Sequence, residues 1–175
     1  SFKQFLILQT SKLLFWRHRK DLEQCLHKQQ QGLTKGGVDV SVHELRHFMR
    51  ENQNGFAVIG DIKTAFNEIK KAHVLRLLRE KIPGLFNYIH AYNVNTYKAI
   101  LYDDRAIEVA EGLRQGDPLS SGLFAPGINK LIEVTNEALL DRGICSSYAD
   151  DTNTLYKNIE MAQLAREQSE RQKSL

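Results

Sequence analysis

The sequence predicts an α+β fold, with an antiparallel sheet packed on helices, and three observations carry that expectation. Runs suited to strands come as adjacent pairs: Tyr97 to Leu101 with Ala106 to Ala110, and Cys145 to Tyr148 with Thr152 to Tyr156. Helical apolar spacing fills the segments between them. The order is helix, strand, helix, hairpin, helix, hairpin, which lacks the strand–helix alternation of a doubly wound parallel sheet. The length of 175 residues suits one ordinary domain or two small lobes, and 42% hydrophobic with 26% charged residues is a globular composition.

Residues 1 to 31 carry apolar clusters, Phe5 to Leu8 and Leu13 to Trp16, then Leu22 and Leu26, which predict a short strand followed by a helix. Gln29-Gln30-Gln31-Gly32 and Lys35-Gly36-Gly37 break the pattern as a loop. Ser41 is the expected cap of the next helix, with Glu44 at the capping-box position and Val42, Leu45, Phe48 and Met49 as its buried stripe. Phe56 to Ile62 reads as a short buried strand with the acid Asp61 near its end. Asn67 to Glu80 then predicts an amphipathic helix with Ile69, Ala72, Leu75, Leu78 and Ile82 inward, stopped by Pro83-Gly84. Asp103-Asp104 makes an exposed turn in the first hairpin. Gly112 to Pro118 is a polar loop before a long helix to about Leu140, bent by Pro126 and Gly127, with Phe124, Ile128, Leu131, Thr135 and Ala138 on one face. Gly143 ends it, the second hairpin follows, and the chain from Lys157 reads as a polar, frayed tail of helical propensity with Met161 and Leu164 as a thin stripe.

The net charge of +3 is mild. Its distribution is more informative, because Lys63, Lys70, Lys71, Arg76, Arg79 and Lys81 outnumber Glu68 and Glu80. Such a face is commonly just solvated, but it also suits a phosphate backbone. Cys25 and Cys145 form no disulfide framework, which fits a reducing, intracellular setting such as nucleus or cytoplasm. No apolar run reaches the roughly 18 residues of a membrane span, and Gln9 to Lys12 interrupt the run from Phe5 to Trp16. The chain opens on Ser1, as a fragment or a trimmed chain would.

Two constellations compete for chemistry. His43-Glu44-Leu45-Arg46-His47 puts two imidazoles four residues apart on a helix, where they can share a Zn²⁺ while Glu44 activates its water. Glu68 lies about where one family of zinc peptidases has a third ligand. Against this, Arg46 puts a cation inside the site, and the residues before His43 are too few for a substrate-binding sheet.

The second constellation spans the chain. Asp61-Ile62-Lys63-Thr64-Ala65-Phe66 ends a strand with a carboxylate and follows it with an aromatic; Gly112-Leu113-Arg114-Gln115-Gly116-Asp117-Pro118-Leu119-Ser120 is a glycine loop leading into a helix; Tyr148-Ala149-Asp150-Asp151 pairs two acids at a hairpin. At these residues the sequence resembles the reverse transcriptases, most closely those of non-long-terminal-repeat retrotransposons and group II intron maturases. The stretches look like that family's first, second and third palm motifs, in order. Gln30-Gln31-Gly32-Leu33 with Lys35-Gly36-Gly37 resembles its stretch before the first motif, and Phe2-Lys3-Gln4-Phe5 a worn form of its triphosphate-holding strand.

The resemblance implies a polymerase palm over 53–160, with motifs at 61–66, 112–124 and 148–151 and finger-side helices at 70–95. It further implies partial fingers over 1–52, no thumb, and a polar tail over 161–175. It implies RNA-directed DNA polymerase activity on an RNA template and DNA primer with deoxynucleoside triphosphates. The cofactor would be two Mg²⁺ ions, with Mn²⁺ as a substitute, because the attacking and leaving oxygens both gather negative charge. Asp61 and Asp150 would be direct ligands, with the Ile62 carbonyl helping and Asp151 in support near the primer end. Phe66 would pack under the incoming sugar and reject a 2′-OH. Gln115 and Gly116 would lie against the nascent base pair, Arg114 would reach a phosphate, and Lys63 would follow the template–primer backbone. Asn67 and Ser121 depart from the family's usual Asp and Pro. Missing parts would come from a longer polyprotein, and an inactive, RNA-binding or structural remnant of a retroelement is the alternative reading.

Overall fold

The computed structural model describes residues 2–93, 97–100, 106–109 and 111–173, and the Asp103-Asp104 turn lies outside them. Thirteen elements follow one another among the described residues. They are α1 (Phe2–Gln24), α2 (Gly37–Glu51), β1 (Phe56–Asp61), α3 (Ala65–Glu68), α4 (Lys71–Lys81), α5 (Pro83–Asn93), β2 (Tyr97–Ile100), β3 (Ala106–Val109), α6 (Pro118–Gly127), α7 (Asn129–Leu139), β4 (Gly143–Tyr148), β5 (Asp151–Tyr156) and α8 (Ile159–Lys173). The fold is α+β, with a three-stranded antiparallel sheet in the order β1-β5-β4 and a separate β2-β3 hairpin. The chain divides into two compact units: residues 1–26 with 63–128, and residues 27–62 with 129–175.

In the first unit α1 packs along α6 and α4 packs along α5. Its core holds Leu22, Val74, Leu78, Leu85, Leu119, Leu123 and Phe124. The expected strand at the start is absent, because Phe2 to Gln24 forms one continuous helix. That stretch has neither glycine nor proline, and its many Leu, Gln, Lys and Arg residues favour helix over strand. The helix expected from Asn67 breaks at Ile69-Lys70 into α3 and α4, and Val74 rather than Ala72 is buried. Pro83 ends one helix and begins the next, since its fixed φ and missing N–H suit a first turn. The predicted hairpin of Tyr97 and Ala106 forms, with Lys98 opposite Glu108.

In the second unit the hairpin β4-β5 is paired from Gly143↔Tyr156 to Tyr148↔Asp151. Helix α7 packs on β4, and α8 lies against β1 and β5. The last segment forms a helix, in keeping with its propensity, and Ala162, with Met161 and Ala165 beside it, joins a buried cluster with Leu139, Cys145 and Tyr156. The helix expected to run from Pro118 to Leu140 is broken at Ile128, just after Pro126 and Gly127. In α7, Ile132 and Leu139 are buried, while Leu131 of the expected face is 52% exposed. Helix α2 starts four residues before the expected cap, behind Gly36 at φ 70°, and Ser41 lies inside it. Strand β1 forms where expected but is an edge strand in which Phe56, Val58 and Ile59 are exposed, the last by 79%. Among the described residues no helix is long and apolar enough to cross a membrane.

Candidate nucleotidyl-transfer site

The acids of the first and third motifs lie in the second unit, at one end of its sheet. Strand β1 pairs antiparallel with β5 in a register that sets Gly60 opposite Thr152 and Asp61 opposite Asp151. Directly opposed residues point to the same face, with Cβ atoms about 4.5–5.5 Å apart. The Thr152 hydroxyl donates to the Gly60 carbonyl at 3.2 Å. Beyond the last pair, the Ile62 N–H donates to the Asp150 carbonyl at 3.2 Å, which ties the segment after β1 to the turn between β4 and β5. Asp61 and Asp151 are exposed, Asp150 half-buried.

No described ion pair includes any of these three carboxylates. As they stand they do not make a group of three metal-holding side chains, and no such group occurs among the described residues. The donor set nonetheless fits a hard divalent cation, which prefers carboxylate oxygens. Like charges directly opposed on a sheet are destabilising, and a cation at Asp61 and Asp151 would remove that penalty.

The turn that carries the acids is strained and held. Ala149 adopts φ 53°, the left-handed region that a Cβ disfavours. Both of its backbone polar groups bond one side chain: its N–H donates to Gln30 Oε1 at 2.9 Å, and its carbonyl accepts from Gln30 Nε2 at 3.2 Å. Gln30 Oε1 also accepts the Gly32 N–H at 2.8 Å. The segment is laid along the free edge of β4 by the Gln31 N–H to Ser147 carbonyl bond at 2.8 Å and the Ser147 N–H to Gln29 carbonyl bond at 2.7 Å. The Ser147 hydroxyl donates to the Asp151 carbonyl at 3.1 Å. Farther along that edge, Asn136 of α7 accepts the Cys145 N–H at 2.9 Å and donates to the Cys145 carbonyl at 2.8 Å. Roles for Gln30, Ser147 and Asn136 were not legible beforehand, although Gln30 to Gly32 is part of the quoted upstream resemblance.

Phe66, Arg114, Gln115, Gly116 and Lys63 lie in the first unit. Phe66 stacks on Phe124 with ring centroids 4.6 Å apart and is half-buried. The glycine loop is docked beside it, since the Leu113 N–H donates to the Phe66 carbonyl at 2.6 Å and the Gly112 N–H to the Ile69 carbonyl at 3.1 Å. Gly112 has φ 84°, and a Cβ there would lie 2.7 Å from Asn67. Gly116 has φ 80° with open space around it, and Gln115 is exposed beside it. Asp117 caps α6 by accepting the Leu119 N–H at 2.9 Å, and its other oxygen accepts the buried Ser11 hydroxyl at 3.2 Å. Lys63 is exposed and Arg114 half-buried.

The zinc constellation finds no support. His43 and His47 are exposed along α2, while Glu44 turns partly inward, with one carboxylate oxygen buried and unbonded. Burial raises its pKa above the ordinary carboxylate range.

Residues 10–173 match the family described as Reverse transcriptase (RNA-dependent DNA polymerase). A search of curated proteins gives no match. Among solved structures, apo telomerase from Candida tropicalis, truncated from its C-terminal domain, superposes with a TM-score of 0.58 at 10% identity. The superposition covers 92% of this chain and 36% of that one, so the chain spans about a third of that structure's length. At that identity the likeness concerns the fold. The match over most of the chain's length is the ground for the assignment: this chain belongs to the reverse transcriptase family.

Proposed function

We propose that the chain is the fingers-palm portion of an RNA-directed DNA polymerase of the non-long-terminal-repeat retrotransposon or group II intron maturase type. Its reaction is transfer of a deoxynucleotide to a primer 3′-OH on an RNA template. The primer oxygen forms a bond to the α-phosphorus, the bond from that phosphorus to the bridging oxygen breaks, and pyrophosphate leaves. The observation that carries the reading is the register of Asp61 with Asp151, with Asp150 bound through its carbonyl to Ile62. The pairing brings acidic residues from two segments distant in sequence to one sheet end, which supports a site for in-line displacement at phosphorus.

Asp61 and Asp150 hold the divalent ions, the Ile62 carbonyl assists, and Asp151 supports them beside the primer end. Two Mg²⁺ ions, or Mn²⁺, when bound supply charge stabilisation to the attacking and leaving oxygens. Phe66 packs under the sugar of the incoming nucleotide; its stacking on Phe124 supports a fixed ring able to exclude a 2′-OH. The open space around Gly116 supports close approach of a base pair, with Gln115 beside it and Arg114 toward a phosphate. Lys63 follows the nucleic-acid backbone. Fingers over 1–52, a palm over 53–160 and a thumb supplied by a longer polyprotein complete the reading, in an intracellular setting.

Primer extension tests it, with an RNA template, a DNA primer, deoxynucleoside triphosphates and Mg²⁺, on this chain and on a longer one that carries a thumb. Extension by the wild type and its loss in Asp150→Asn is the expected result. Equal signal from both would overturn the polymerase reading. RNA binding without extension by either length would favour the inactive, RNA-binding remnant instead.

A further inference from the structure

We propose that Gln30 is a positioning residue for the acid-bearing turn, and that its side-chain amide holds Asp150 and Asp151 where they meet a divalent cation. The inference rests on the proposed metal-dependent reading of those acids. Gln30 is 1% exposed, and all of the described hydrogen bonds of its side chain go to backbone groups of Gly32 and Ala149. A planar amide that accepts from one residue's N–H and donates to the same residue's carbonyl fixes both peptide planes flanking that residue. The peptide after Ala149 is the one that begins Asp150. Its orientation therefore sets where the two carboxylates leave the chain.

The turn needs such a clamp. A non-glycine residue in the left-handed region costs on the order of 1–3 kcal/mol and persists only where its surroundings impose it. Ala149 sits at φ 53° without a glycine's freedom. The clamp is itself anchored, because the segment that bears it bonds both backbone groups of Ser147, a residue with 0% exposure. Gly32 is part of the same fit: a Cβ there would lie 2.7 Å from the Ala149 nitrogen and 2.9 Å from Gln30 Oε1.

The test is luminescence titration with Tb³⁺, a hard cation that reports on carboxylate sites without turnover. The variants are Gln30→Met, Gly32→Ala and Asp150→Asn, with folding followed by circular dichroism. Asn136→Ala serves as the control, since it also strips bonds from β4 but away from the turn. Gln30→Met should bind Tb³⁺ about tenfold more weakly than wild type, as loss of an orienting partner does. Gly32→Ala, which keeps every hydrogen-bonding group, should shift in the same direction, and it carries the test if Gln30→Met does not fold. Adding Ala149→Gly to Gln30→Met should restore part of the affinity, because glycine adopts the turn without the clamp. Asn136→Ala should melt lower with affinity unchanged. Wild-type binding that is lost in Asp150→Asn yet unaltered in Gln30→Met and Gly32→Ala would overturn this inference alone. Equal weakening in Asn136→Ala would reduce Gln30 to a structural residue and overturn it as well. Wild-type binding no tighter than that of Asp150→Asn would overturn both it and the metal-dependent reading beneath it.

Discussion

Asp61 and Asp151 face each other across two paired strands, and no described ion pair offsets either charge. A like-charged cross-strand pair is unfavourable by a fraction of a kcal/mol. Asp151→Asn should therefore raise the metal-free melting temperature by about 1–3 °C in a chain of this size. Millimolar Mg²⁺ should raise the wild-type midpoint by more than the variant's, since the cation removes a repulsion that the variant no longer has. A midpoint that falls on substitution, with no response to Mg²⁺, would refute this account of the pair. Glu44 poses a related problem of charge. Its raised pKa means that the folded chain binds the proton more tightly than the unfolded one. Stability then falls as pH rises from the unfolded value through the folded one, and the penalty persists at neutral pH. Glu44→Gln should melt higher than wild type at pH 7, and the gain should vanish below about pH 4, where both states are protonated. An equal gain at both pH values would rule out the buried carboxylate as its cause.

At the scale of elements, β4 shows how an exposed strand edge is closed without another full strand. One part of the edge bonds the backbone of Gln29 and Gln31, and another bonds the side chain of Asn136. Such closure matters because unpaired edge groups invite association with other chains. Asn136→Ala leaves Cys145 backbone groups without these partners and should cost about 2 kcal/mol, or roughly 4–8 °C, in a thermal melt. A change of under a degree would show that water replaces the amide.

The element-level expectations failed where a local signal had two readings. Phe5 to Leu8 looks like strand in a short window, but α1 runs unbroken around it because no breaker intervenes. Ser41 and Glu44 match a capping box, yet Gly36 starts the helix sooner because it reaches a left-handed conformation that few residues tolerate. Apolar Val58 and Ile59 suggested burial, but β1 ends up at a sheet edge, which only strand order decides.

Across the whole molecule, each compact unit is assembled from segments far apart in sequence. The first unit needs its N-terminal helix: Phe15 and Leu22 side chains lie within 3.1 Å of where a Cβ on Gly122 would stand, and Ser11 bonds Asp117. Removal of residues 1–26 strips Leu22 and Ser11 from that packing and opens the face of α6. The truncated chain should lose cooperative unfolding of the first unit, seen as a shallower circular-dichroism transition of smaller amplitude. A transition as sharp as that of the intact chain would show that α1 is dispensable.

The sequence by itself determined the α+β class, the two hairpins, and the three motifs in order, because strand pairs, turn residues and motif spacing are local properties. It also pointed to Asp61, Asp150 and Asp151 as a set. The tertiary structure alone decided that Asp61 stands opposite Asp151, since register depends on pairing between segments some 90 residues apart. It alone decided that the buried face of α7 is Ile132 and Leu139, because burial depends on which strand the helix packs against. And it alone gave Gln30 a task, for a glutamine in a loop has no visible partner until the fold brings a strained alanine against its amide.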